Sequence, residues 1–283
     1  MFYRALSTTS LITALLVGAP AMADDAQAEA LFEALGLPDI VDIMREEGTS
    51  YGAQIATDLF PSGLTSSWSA TVEAIYNPDE MLAAVKADFS QALEGDDVEA
   101  MLSFFESPLG QNVVALEVSA RRALLDDAVS EASKDMANLA RADNTPRFVL
   151  IDDFVQTNDL IETNVVGALN SNFAFYKGLA EGGAFDETLT EQQILTDVWA
   201  QEPDIRTSTQ DWVYSFLLMA YDPISDAELQ TYIDFSKSEA GRQLNGALFD
   251  AFDDHFDSVS QSLGREAARV KGHVWRGIIG SRR

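Results

Sequence analysis

The sequence predicts an all-α fold, a helical bundle made of two tandem, related repeats. Three observations carry that expectation. Apolar residues recur every three or four positions through most of the chain, the period of an amphipathic helix. Strand-like alternation is scarce, and its best stretch, RFVLIDDFV at 147–155, suits a helix start equally well. One short pattern, F-x-x-S-x-x-G, occurs twice, as FFESPLG at 104–110 and FSKSEAG at 235–241.

The chain opens with a short positive region at Arg4, an apolar run from Leu11 to Val17, Pro20 and the small-residue triplet Ala21-Met22-Ala23. The run is too short to cross a bilayer, and its flanks are those of a secretory signal peptide over 1–23. Cleavage near Ala23 would leave 260 of the 283 residues, in the periplasm or outside the cell. The chain has no cysteine. A lipid anchor on cysteine is therefore excluded, and the fold must be held by its apolar core rather than by disulfides. Some 46 acidic side chains face 18 basic ones, a formal charge of −28. Such a surface repels phosphate backbones, so nucleic acid is not an expected partner.

Repetition organises the rest of the chain. Aligning Ser107 with Ser238, an offset of 131, places Phe104 on Phe235 and Gly110 on Gly241. Pro78-Asp79 pairs with Pro203-Asp204 at an offset of 125, and Asp39-Ile40 with Asp159-Leu160 at 120. The implied repeats are 24–143 and 148–283, joined at RADNTPR, where Asn-Thr-Pro signals a turn. After Ser107 an apolar stripe runs through Leu109, Val113, Leu116, Ala120 and Leu124, thinning towards Met136 and Leu139. After Ser238 the stripe is Leu244, Leu248, Phe252, Phe256, Val259 and Leu263.

The repeated pattern has the chemistry of a helix–helix corner. Ser225 and Glu228 have capping-box spacing and start a short helix that ends near Phe235. Ser238 then suits the N-cap of the next helix, and Ser107, followed by Pro108, suits it better still. Phe104 and Phe235 would be the apolar pegs. Gly110 and Gly241 lie three residues into the new helices, where glycine costs about 1 kcal/mol against alanine, so another backbone is expected close by. No base recurs beside both serines, which argues against a nucleophile.

A short acid-led helix, F-x-x-S-x-x-G-[QR]-x-[VL] and then a long amphipathic helix resemble the DUF2059 family. The resembling segments are about 96–118 and 227–249. The resemblance implies a helical fold in exported bacterial proteins, typically of Gram-negative envelopes. It brings no active site and no cofactor.

Other candidate sites are weaker. GTSYG at 48–52 matches G-x-S-x-G, but charged, helix-like DIVDIMREE precedes Ser50 where a nucleophile elbow needs a strand. Asp253 and Asp257, with Asp250 and Asp254, form an acidic helix face read as solvated; His255 projects elsewhere. Neither His255 nor His273 has the Glu three residues earlier that a helical di-metal site uses. The segment 264–283 is basic and contains Trp275; Gly272, Gly277 and Gly280 favour a folded-back or loose tail over a firm helix, with membrane-surface contact as the alternative. The sequence thus suggests a non-enzymatic protein of the cell envelope that acts through interactions. The alternatives are a binder of a hydrophobic small molecule or lipid in a pocket between the repeats, and a serine hydrolase using Ser50. A continuous apolar cavity between the halves would favour the binder.

Overall fold

The computed structural model describes residues 20–60, 63–93, 95–185 and 190–280, with side chains over 26–270. Residues 1–19 of the expected signal peptide lie outside them. The described residues form thirteen helices and no strand. A first set comprises α1 (Pro20–Ala34), α2 (Leu37–Leu59), α3 (Ser66–Ile75), α4 (Pro78–Ala92), α5 (Val98–Phe105) and α6 (Pro108–Ala123). After α7 (Asp127–Ala142) comes a second set: α8 (Pro146–Thr157), α9 (Leu160–Glu181), α10 (Glu191–Trp199), α11 (Glu202–Tyr221), α12 (Asp226–Ser236) and α13 (Glu239–Gly280). Among the described residues no helix is long and apolar enough to cross a membrane.

The two sets start their helices in the same ways. α2 and α9 both follow a left-handed residue that makes no side-chain cap, Gly36 at φ 63° and Asp159 at φ 51°. Glycine and aspartate are residues that tolerate this conformation. α3 and α10 are capped by threonines, Thr65 accepting from the Trp68 N–H and Thr190 from that of Gln193. α4 and α11 carry Pro78 and Pro203 in the first turn, where a missing N–H costs nothing. Gly36 and Asp159, the residues before α2 and α9, lie 123 residues apart.

The corners at 104–110 and 235–241 have the same construction. Ser107 Oγ accepts the Gly110 N–H at 3.1 Å, and Ser238 Oγ that of Gly241 at 3.0 Å. The side chains of Gln111 and Arg242 each donate to the carbonyl just before the serine, on Glu106 and Lys237. A Cβ on Gly110 would lie 2.2 Å from the Phe104 carbonyl oxygen, and one on Gly241 2.2 Å from that of Phe235. The close backbone is that of the preceding helix's last turn, folded back against the new one.

The packing of the two sets is reciprocal. α6 lies on α2 of its own set and on α11 of the other; α13 lies on α9 of its own set and on α4 of the other. One core therefore runs through both, from Trp68, Phe89 and Met101 to Ile151, Tyr221 and Leu263. A small satellite of Val165, Leu169, Ile194 and Val198 sits between α9 and α10.

Two expectations are corrected. Met136 and Leu139 are exposed, at 69% and 65%, because α7 turns a different face inward. That face is small, with Ser133 and Ala137, and Ser133 Oγ donates to the Ser215 carbonyl of α11 at 2.9 Å. The segment after 264 is not a loose tail: α13 stays helical to Gly280, and Ala267 and Ala268 are buried. Gly264 is a contact point here, since its Cβ would fall 2.1 Å from the Phe175 carbonyl oxygen of α9.

Gly110→Ala and Gly241→Ala should each lower stability by about 1–3 kcal/mol, because overpacking outweighs the better helix propensity. Gly246→Ala, also within α13 but with nothing near its Cβ position, should instead raise stability by about 0.5–1 kcal/mol. Urea denaturation of the three variants checks the opposite signs.

Candidate functional site

The two corners meet. The Phe104 and Phe235 rings stack with centroids 4.1 Å apart and planes 12° apart. Tyr232 lies parallel to Phe104 at 5.5 Å, and Phe105 meets Phe235 edge-on at 5.4 Å. The six residues of the repeated pattern thus form one structural joint rather than two separate ones.

Phe105, Tyr232 and Phe235 of this joint also line a cavity of about 400 Å³. Both helix sets supply its walls. From the first come Leu37, Ile40 and Met44 on α2 and Val118 on α6; from the second come Trp212 and Phe216 on α11 and Leu244, Leu248, Phe252 and Phe256 on α13. The lining is mostly apolar and unusually aromatic. A second hollow of about 590 Å³ lies between α7 and α11, lined by Val129, Met136, Leu218 and Met219 with Arg147 at its side; it has no aromatic wall.

The polar groups of the first cavity are few. Glu117 of α6 is mostly buried, and Tyr221 and Tyr232 both donate to its Oε1, at 2.5 and 3.3 Å. Burial pushes its carboxyl up from 4.5 to about 7, and the two phenols hold it back from rising further. Burial and the neighbouring carboxylate raise the pKa of both tyrosines well above the ordinary value, so they remain donors. Arg121, one turn beyond Glu117, is not its partner. It pairs with Glu47 at 2.9 Å and sits 5.9 Å from the centre of the Trp212 ring. Asp253 of α13 lines the cavity too, its carboxyl raised to about 6 by burial and by Asp257, Asp250 and Asp254.

The other candidates from the sequence fall elsewhere. Ser50 lies exposed in the middle of α2, not on a strand-to-helix turn, so the elbow geometry is absent. The acidic face of α13 is not wholly solvated: Asp253 lies against Gly167 of α9, and Asp257 accepts from Ser171 Oγ at 3.1 Å. His255 is buried on another side of α13, its Nε2 without a partner among the described residues and its pKa lowered by burial. No group of three or more His, Cys, Asp or Glu among the described residues could hold a metal ion. Glu117 was missed, although helical spacing puts it one turn from Val113 and Val114 on the buried side of α6. Its tyrosine partners, more than 100 residues away, left no local signal.

Residues 79–138 match the model of the DUF2059 family, described as an uncharacterized protein conserved in bacteria. The matched span runs from α4 to most of α7, about a fifth of the chain, and includes Glu117 and the first corner. The second corner, at 235–241, lies outside it. No curated protein and no solved structure matches the chain.

The raised carboxyl has a definite consequence. Unfolded, Glu117 ionises near 4.5; folded, near 7. Between those values the folded chain binds more protons, so stability falls as pH rises through the window. Glu117→Gln keeps an acceptor for the phenols and removes the titration. It should stabilise the protein by about 2–3 kcal/mol above pH 7 and by little near pH 4. Melting curves at pH 4, 6 and 8 should diverge accordingly, by about 5 °C or more at the alkaline end.

Proposed function

We propose that this is an exported, non-catalytic binding protein that holds a hydrophobic small molecule or lipid between two halves derived by duplication. The observation that carries this reading is the aromatic cavity of about 400 Å³, built jointly by both helix sets. Its size falls in the range of small-molecule sites, roughly 300–1,000 Å³, and its composition of many apolar walls and few polar groups is theirs as well. The apolar leader motif over 1–23 supports export, and the matching helix starts and reciprocal packing support duplication. Exposed Met136 and Leu139, beside the hollow on α7, favour a second reading, an envelope interaction protein that docks a partner there.

The test is native mass spectrometry of the full chain exported from a Gram-negative host, with titration of a hydrophobic fluorophore. Wild type should carry lipid or bind the fluorophore at one site. Leu248→Trp, which fills the cavity from α13, should reduce that binding at least tenfold while the far-UV circular dichroism stays unchanged. No co-purified lipid together with fluorophore binding that Leu248→Trp leaves intact would sink the reading. Met136→Glu/Leu139→Glu should leave it untouched; loss of binding there would move the site to α7.

A further inference from the structure

The cavity contains a charge that the fold does not neutralise. A buried carboxylate is expensive unless it is paired, and glutamine at 117 would accept from the same phenols at lower cost. Both phenols converge on Oε1 of Glu117, and among the described residues no protein group donates to Oε2. The one nearby cation, Arg121, is held by Glu47 and Trp212. The second acid of the cavity, Asp253, forms no ion pair among the described residues, and its acidic neighbours Asp250, Asp254 and Asp257 oppose its ionisation. The cavity that holds both acids is rich in aromatic side chains, whose ring faces attract cations.

We propose that the ligand is a cationic amphiphile, a protonated amine on an apolar body, whose ammonium donates to Oε2 of Glu117 while its body fills the aromatic cavity. This rests on the cavity reading above and adds the head group to it. An anionic amphiphile would meet two carboxyls and no free cation. A neutral one would leave Oε2, which faces the cavity, without a charged partner. The overall charge of −28 also concentrates cations around the protein before any of them enters.

Isothermal titration calorimetry of the full chain at pH 8 in 150 mM salt, with dodecylamine, dodecanol and dodecanoate below their aggregation thresholds, tests the head group. The amine should bind one to one, about tenfold or more tighter than the alcohol, as a charge-assisted hydrogen bond implies. Dodecanoate should bind most weakly. Glu117→Gln should remove the amine's advantage over the alcohol. Leu248→Trp should weaken all three, which separates the cavity from loose adsorption of amine on an acidic surface. Equal binding of amine and alcohol to wild type overturns the proposal without any variant, as does tighter binding of dodecanoate. In either case the cavity reading survives if Leu248→Trp still weakens binding. Failure of all three ligands to bind sinks both.

Discussion

Phe104 and Phe235 stack face to face at 4.1 Å, and each is held there by the same device. A short helix ends at the phenylalanine, a serine caps the next helix, and a glycine lets the two backbones touch. The glycine holds the backbone of the phenylalanine against the start of the next helix. Two such corners facing each other bring the ends of α5 and α12 together, just before α6 and α13 begin. From that point α6 continues onto α11 and α13 onto α4, each crossing into the other set. The single core and the cavity beside it follow from this crossing.

The same geometry explains why the cavity exists at all. Rings stacked at the joint cannot also fill the space behind them, and Phe105, Tyr232 and Phe235 are left as its wall. The first set contributes Glu117 and Arg121, the second the tyrosines and most of the aromatic surface. Neither set could form the site alone. Among the described residues the Glu117 carboxylate is bonded by Tyr221 of α11 and Tyr232 of α12, so its environment depends on the reciprocal packing being intact.

Much of this was legible in the sequence, and what was not has a common cause. Ser107 and Ser238 read as caps because capping depends on residues three apart, and Pro108 reinforced the signal. Gly110 and Gly241 read as close approaches because glycine is costly inside a helix. The period of three and four fixed the helices, but it did not say which apolar residues would be buried: Met136 and Leu139 continued a stripe that α7 turns outward. It also did not show that Gly264 belongs to a packed helix, because the tight neighbour is Phe175 of α9, far along the chain. Contacts made within one turn leave local signatures; contacts made across the two sets do not.

Glu117 shows where stability and function part. A carboxyl lifted to about 7 by burial makes the folded state less stable at neutral pH than an amide there would. Two phenols reduce that cost without removing it, and the arginine one turn away is committed to Glu47. A purely structural role is poorly served by such a group, since an apolar residue or an amide would fill the space at lower cost. A ligand that brings a positive charge reverses the sign: the unpaired carboxylate, a liability in the empty protein, becomes the strongest polar contact in the complex. Binding would then stabilise the fold by giving the Glu117 carboxylate a cationic partner, and an uncharged ligand of the same shape would not.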